Sequence, residues 1–535
     1  MPKSLDPALA MAPPETDIVR AVYEGLTELN TGTLEAMPAA AESWTSTPDF
    51  RSWTFALRKN SRWSNGKPVT AEDFVRSWKR IGELGDAAAH RELLANIVGF
   101  QVRKKRAEAP SSELVPNSNV SDSLPSPLPE STRPGDAGRN NSNVRTEPGP
   151  APLDFGVSAT DAYTLRVVLT APDKDFPRLV AHPVFRPVFG DMPAVPVPIS
   201  KDLVTNGPFR ISSIDADGIA VVRSDQYWNR DAIKLESAKF VSSKNAEEVL
   251  AAYRAGEIDA ITNVEFEPLA LKLLEPFQDF RRRTHAALNF YEVNHEKSPF
   301  DDRRVREALS ISLERERLTE GETEGITTPA LGFLPFGGGS ETRIVQDRDR
   351  ARDLMEEAGF PRGENFPVIR LVVNRNETQQ RVARAVARMW KQNLNLSTEI
   401  VVKDLAELEA ARSAGDFDLV RRNVVFPSAN EFMSILAVLK PAQQTVETDR
   451  DSRERSGAVE ARPAIAPTDE TAASETDDTD LEMTEATAVY EHWAIPLYFP
   501  TSYSLVKPYV IGFEINSLDA PLLTEVAIDS NWQPK

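Results

Sequence analysis

The apolar positions of this chain recur with two different periods, and the period switches repeatedly along its length. In "WTFALR", Trp53, Phe55 and Leu57 fall on every second residue, the spacing of a half-buried strand. "SNG" then signals a turn, and Thr70 opens a helix: Thr70 and Asp73 stand at capping-box spacing, Val69 and Phe74 at the two positions of a hydrophobic staple. Phe74, Trp78 and Ile81 continue down one helical face. "NGPFRISSIDADGIAVVRSDQYW" reads as two strands joined at Asp217-Gly218. "NAEEVLAAYRAGEI" is a helix with Val249, Leu250 and Tyr253 inward. "FDDRRVREALSISLERERL" gives a helix capped by Asp301, with Val305, Ala308, Leu309 and Ser312 on its apolar face. "RDRARDLMEEAGF" and "QQRVARAVARMWKQNLNL" are further helices, the second turning Val382, Val386, Met389 and Leu394 to one side. "VIRLVVN", "STEIVVKD", "FDLVRRNVVF" and "IPLYFPTSYSLV" read as strands. Strands alternating with helices predict α/β layers.

Two tracts break the pattern. Residues 103–153 are dense in Pro, Ser, Asn and Gly, and residues 441–484 are polar and acidic. Neither holds enough large apolar residues to offset its ordering entropy, so both read as insertions into ordered domains. The chain of 535 residues is too long for one ordinary core, and its 41% hydrophobic and 27% charged content is globular. A formal net charge of −19 argues against nucleic acid as a partner, because phosphate binding needs clustered Lys and Arg. The absence of cysteine excludes disulfides, thiolate metal sites and cysteine nucleophiles. No apolar run reaches the roughly 18 residues that a spanning helix needs.

Catalytic equipment is not visible. The five histidines, at 90, 182, 285, 295 and 492, never pair at i, i+4. There is no G-x-S-x-G elbow, P-loop or dinucleotide fingerprint; the run "FGGGSETR" at 336–343 lacks the Lys-Ser/Thr of a phosphate cradle and reads as a flexible turn. The acidic pairs Glu72/Asp73 and Asp301/Asp302 stand at helix starts, where the dipole favours negative charge. A binding protein without cofactor or metal is the simplest reading of such a chain.

Five blocks, in order, carry a resemblance: "VYEGLTELN…AESW…WTFALRKNSRWSNGKPVTAEDFVRSWKR", "TNGPFRI", "YEVNHEKSPFDDRRVREALSISLERE", "ARDLMEEAGF" and "IPLYFPTSYSLVKPYVIGF". Together they resemble the extracytoplasmic solute-binding proteins of peptide ABC importers, the oligopeptide/dipeptide-binding family. The resemblance implies a bilobal, periplasmic-binding-protein-like α/β fold with the ligand cleft between the lobes. One lobe would be assembled from residues 1–45, 198–283 and 499–535, an extra subdomain would occupy 46–197, and the second lobe 284–498. It implies a monomer that captures a peptide or peptide-like ligand and delivers it to ABC permease membrane subunits. A sensor that uses the same fold inside the cell is the alternative. The opening "MPKSLDP" lacks an export signal; if that signal is missing from this chain, the location implied is periplasmic or cell-surface.

The resemblance also marks the site. "ALAMAPPET" (8–16) matches a cleft-lining segment, placing Met11, Ala12 and Pro13 at the ligand. Tyr291 and Asn294 sit near the expected lobe crossing. Peptide-binding relatives carry an Asp that pairs with the ligand's α-amino group in a loop like W-x-A-D-Y; the matching stretch here is "FDLVRRNVVFPSANEFM", shorter and without that acid. Arg421, Arg422 and Asn423 remain, the arginines suited to a carboxylate or another anion. Ser428, Asn430 and Glu431 are the nearest polar substitutes for the missing anchor.

Overall fold

The computed structural model describes residues 2, 4–100, 154–191, 199–242, 245–262, 264, 266, 268–336, 342–439, 484–514 and 516–533. The insertion 103–153, the acidic tract through residue 483 and most of the glycine run 336–343 lie outside these residues.

The segment with the clearest local grammar folds as its chemistry dictates. In the helix Ala71–Leu84, Asp73 turns back on the residue before the helix: its Oδ2 accepts from Thr70 N at 2.9 Å and Thr70 Oγ1 at 3.1 Å. The same oxygen accepts from Trp63 Nε1 at 3.3 Å, so one acid satisfies the entering turn and the indole beside it. Gly66 supplies the positive φ of +83° that the turn needs. Phe74, Trp78 and Ile81 are buried, and Trp78 Nε1 donates to Phe185 O at 2.7 Å. The helix covers one side of a four-stranded antiparallel sheet whose order is Ala41–Ser46, Ser52–Leu57, Thr164–Val168, Val157–Asp161. Along Ser52–Leu57 burial alternates strictly, with Trp53, Phe55 and Leu57 inward.

This sheet shares one hydrophobic core with the N-terminal residues Leu5–Leu26 and with the three-stranded meander Phe209–Asp215, Gly218–Arg223, Ser237–Val241. The meander's first hairpin closes one residue earlier than its sequence signal. Asp215 pairs with Gly218, so Ala216 and Asp217 form the loop, held by Asp215 Oδ1 accepting from Asp217 N and Gly218 N, both at 3.0 Å. Gly207 lets two pieces of this core meet. A Cβ there would fall 2.4 Å from the carbonyl carbon of Val22 and 2.6 Å from Tyr23 N.

The second core is built on a six-stranded sheet ordered Thr328–Pro329, Ala494–Phe499, Ala287–Val293, Leu419–Val425, Ile369–Asn374, Thr398–Lys403. Its far side is a β-α-β-α-β run. Ile369–Asn374 leads through the helix Glu377–Leu394 to Thr398–Lys403, then through the helix Leu405–Ser413 to Leu419–Val425, all three strands parallel. Val382, Val386, Met389 and Leu394 are buried on the sheet. The helix Arg303–Ile311 is capped by Asp302 rather than Asp301: Asp302 Oδ1 accepts from Arg304 N at 2.8 Å. One residue later in the chain, the acid reaches the first-turn amide that Asp301 stands too early to meet.

Two strands of the second sheet run on into a small sheet with its own cluster of buried residues, Val249, Tyr253, Ile261, Leu274 and Leu505. Phe280–Thr284 and Thr501–Val506 are antiparallel neighbours in a small sheet with Ala260–Ile261; their continuations Ala287–Val293 and Ala494–Phe499 are antiparallel neighbours in the six-stranded sheet. His285 N donates to Pro500 O at 2.8 Å between them. The crossing therefore lies at residues 284–287 and 499–501. Tyr291 is in the middle of the sheet strand and Asn294 just past its far end, not at the crossing as expected, because the strand runs on into the second core.

Removing the staple side chain by Phe74→Ala should cost about 3–5 kcal/mol, read as a lower urea midpoint with an unchanged slope. Gly207→Ala should also destabilise, through its clash with backbone that no side-chain movement relieves.

Candidate functional site

The strand Leu419–Val425 is where charged residues enter the second sheet. Its side chains alternate faces, and its antiparallel register sets Arg421 opposite Tyr291, Arg422 opposite Phe290 and Asn423 opposite Asn289. On one face Arg421 Nη2 donates to Asn289 Oδ1 at 2.6 Å, beside the buried Tyr291 and Tyr498. Burial raises both phenols above their ordinary range, and Gln379 Nε2 donates to Tyr498 Oη at 2.8 Å. On the other face Arg422 Nη1 donates to Glu292 Oε2 at 2.9 Å and to Val438 O at 2.8 Å, with Nη2 on Ala437 O at 3.3 Å. Arg412 Nε reaches the same Glu292 oxygen at 2.7 Å.

The two arginines thus do different work. Arg422 is committed to a shared carboxylate and to the last carbonyls of the helix Glu431–Leu439, where a cation suits the helix dipole. Arg421 is bonded to a neutral amide, has no carboxylate partner among the described residues, and keeps a buried Nε without an acceptor. Burial lowers the pKa of both guanidiniums, which remain cationic.

The strand's outer edge is open at the same place. The ladder to Ile369–Asn374 ends at Val420, while the ladder to Ala287–Val293 continues to Val425. Asn423 and Val425 are exposed, Val425 at 57%. A cavity of about 120 Å³ lies along this edge, lined by Arg412, Arg421, Arg422, Asn423, Glu409, Leu405 and Leu408. Unpaired backbone groups beside guanidiniums suit an extended chain with an anionic group.

The loop after the strand is closed instead. Ser428 and Asn430 are buried, at 2% and 0% exposure. Asn430 Oδ1 caps the helix Glu431–Leu439 by accepting from Met433 N at 2.8 Å, and Asn430 Nδ2 donates to both oxygens of Asp173, at 3.0 and 2.9 Å. Ser428 Oγ accepts from Asn430 N at 3.2 Å, and Ser434 Oγ donates to Ser428 O at 3.3 Å. Glu431 pairs with Lys174 Nζ at 3.1 Å and accepts from Glu485 N at 2.8 Å. These three polar residues hold the loop in place, and their hydrogen-bonding capacity is largely used.

Asn294 donates to Gly415 O and Phe417 O, each at 3.1 Å, clipping the turn at the opposite end of the strand pair from Asn423. Met11 and Ala12 are exposed, Met11 at 70%, on a turn whose base is fixed by the buried Asp6–Arg80 pair. His90 Nε2 lies 2.7 Å from Met11 O. The structure therefore gathers Arg421, Arg422, Asn423 and Tyr291 in one place and Ser428, Asn430 and Glu431 in another. Met11–Pro13 lie on the first core and Asn294 stands apart. Sequence reasoning missed Asp173, Lys174, Arg412 and Glu292. Glu292 had a signal, an acid inside the otherwise apolar "LNFYEV"; Asp173 and Lys174 had none.

A larger cavity, about 250 Å³, lies in the first core beside Arg20, Glu24, Glu28, Arg186, Tyr227 and Trp228. Burial pushes the Glu24 carboxyl up to about 7, against hydrogen bonds from Tyr227 Oη at 2.6 Å and Trp228 Nε1 at 3.0 Å. Among the described residues no group of three or more His, Asp or Glu is placed to hold a metal, and no helix is long and apolar enough to cross a membrane.

Comparison with known proteins gives three results. The family model described as bacterial extracellular solute-binding proteins, family 5, matches residues 35–445. Among curated proteins, the periplasmic murein peptide-binding protein MppA of Escherichia coli is 29% identical, covering 96% of this chain and 89% of its own length. The periplasmic oligopeptide-binding protein OppA of Haemophilus influenzae is 27% identical, covering 96% and 89%. Among solved structures, an unliganded open form of MppA superposes with a TM-score of 0.70 at 25% identity, over 98% of this chain and 95% of that one.

Glu24 sets a pH dependence. Its folded pKa lies above the ordinary 4.5, so the folded state holds the proton more tightly, and that stabilisation is lost as pH rises from about 4.5 through about 7. The melting temperature should fall across this window, and Glu24→Gln should flatten part of the slope in a pH series of thermal melts. Arg422→Met should cost about 1–3 kcal/mol by freeing the helix carbonyls, seen as a lower urea midpoint.

Proposed function

Since the chain belongs to the bacterial extracellular solute-binding proteins of family 5, we propose that it is the ligand-binding component of an ABC importer, taking a peptide or peptide-like solute into a cleft between its two lobes and handing it to a membrane permease. The observation that carries this reading is the open edge at Arg421–Val425, where a strand's unpaired backbone groups lie beside the acid-free Arg421. An extended ligand would pair its main chain with this edge and bring a carboxylate to Arg421, while the exposed turn at Met11–Pro13 would form the facing wall. The protein acts outside the cytoplasm, as the relatives named periplasmic do, and does no chemistry on its cargo.

The lobes in this reading are residues 1–45, 198–283 and 499–535 on one side and 284–498 on the other, with 46–197 as a subdomain of the first. The core that joins residues 5–26 and 209–233 with the subdomain, and the crossing at 284–287 and 499–501, support that division. A ligand that touches both lobes stabilises the closed state by its difference in affinity for the two states. The match to an unliganded open form supports a free protein whose lobes stand apart.

No free acid stands in the loop after the strand, since Glu431 is paired with Lys174 and Asp173 is buried against Asn430. A free α-amino group therefore contributes less to binding here than the carboxylate does. Native mass spectrometry of gently purified protein should show co-purified peptides in the hundreds of daltons. A protein that stays empty, with no thermal shift from a diverse peptide library, overturns the reading. With a bound peptide in hand, Arg421→Ala should weaken binding about 10- to 100-fold by calorimetry, and amidating the peptide's C-terminus should produce a similar loss.

A further inference from the structure

The 250 Å³ cavity of the first core shares no lining residue with the cavity beside Arg421 and Arg422. It exceeds by roughly tenfold the space that a single water needs. Pro38, Asn229, Ala232 and Glu525 are its exposed lining residues and mark where it opens to solvent. Arg20, Glu24, Arg186 and Leu522 are among its buried ones. Arg20 belongs to the helix Glu15–Val22, Glu24 follows that helix, and Arg186 follows the turn Pro183–Phe185.

The buried part of this lining is short of hydrogen-bond acceptors. Arg20 is 9% exposed, and the polar contact of its guanidinium among the described residues is a single one, Nη1 to Glu28 Oε1 at 3.5 Å. Glu28 is already engaged, because its other oxygen accepts from Arg186 Nη2. Arg186 Nη1 donates to Tyr23 O and, at 3.2 Å, to Arg20 O, while the buried Arg186 Nε has no acceptor. Glu24 takes donors of its own, Tyr227 Oη at 2.6 Å and Trp228 Nε1 at 3.0 Å. Burial pushes its carboxyl up to about 7, so it carries full negative charge only above neutrality. The other acids of the lining are more exposed: Asp17 is half-buried, and Glu525, at the opening, accepts from Thr31 Oγ1 at 2.9 Å. Two buried guanidiniums thus share one carboxylate, and Arg58 adds a third beside them, 3.8 Å from the centre of the Trp228 ring.

We propose that this cavity is a second ligand site, separate from the cleft between the lobes, and that it takes a small organic acid whose carboxylate meets Arg20. The carboxylate supplies the acceptor that the lining lacks, and a guanidinium favours it by charge and by shape. The apolar body of the acid lies against Trp228, Pro208 and Leu522, which line the same cavity. A cation fits less well, since it meets Arg20 and Arg186 while both buried acids already hold donors. The volume lies below the roughly 300–1,000 Å³ of sites for drug-sized ligands, which limits the acid to on the order of ten non-hydrogen atoms. The site therefore excludes an extended peptide, and it does not depend on the reading of the cleft.

Calorimetry at pH 6.5 tests the site with butyrate and benzoate as probes, each beside its neutral amide. At least one acid should bind saturably, in the sub-millimolar to millimolar range, and its amide should bind at least about tenfold more weakly. Arg20→Met should remove acid binding. Ala232→Phe, which obstructs the opening from an exposed position, should weaken it about tenfold even if Arg20→Met does not fold. Arg421→Ala should leave acid binding as it is in the wild type. Absence of saturable binding by both acids overturns the proposal, and so does an amide that binds as tightly as its acid. Loss of acid binding in Arg421→Ala overturns it as well, because the acid then sits in the cleft. A protein that carries no peptide in native mass spectrometry bears on the cleft alone and leaves this site standing.

Discussion

Two chain segments that each pass through both the small sheet and the six-stranded sheet, paired with one another in each, are the constraint on which this molecule depends. Phe280–Thr284 pairs with Thr501–Val506 in one sheet, and after a short crossing Ala287–Val293 pairs with Ala494–Phe499 in the other. An antiparallel ladder fixes register through backbone hydrogen bonds, so within each sheet neither segment can slide along the other. At the crossing itself the described pairing thins to single contacts such as His285 N to Pro500 O. Rotation is therefore easiest where backbone bonding is sparsest, which is the physical form of a hinge.

Around this hinge the two cores handle buried charge differently. In the first, three buried arginines meet acids: Arg80 meets Asp6, and Arg20 and Arg186 share Glu28. In the second, charge is concentrated where the parallel part of the sheet gives way to the antiparallel part, and it is unevenly compensated. Glu292 serves both Arg412 and Arg422, leaving Arg421 with amide and phenol neighbours. A buried guanidinium without an acid is costly to hold in a protein that never binds an anion, and useful in one that does.

The loop after the cationic strand is short and buried, and its polar groups face inward. Its helix packs on both cores, through Met433 on the first and Ile435 and Val438 on the second.

The sequence by itself determined the elements and much of the class. The period-two run at Trp53–Leu57, the acid-capped helix start at Thr70 and the apolar faces of the later helices were legible, because their causes are local: side-chain period, orphan amides, turn residues. Even the small errors were local, a cap displaced from Asp301 to Asp302 and a hairpin loop displaced by one residue. The candidate arginines were also legible, as charges inside a strand pattern, but not their separate tasks. That Arg422 spans a helix end and Arg421 stands without an acid depends on what the register and the helix Glu431–Leu439 bring alongside them. Asp173 was invisible for the same reason. It meets Asn430 across 257 residues of chain, and no local rule of spacing reaches a contact that only the packing of two separate cores creates.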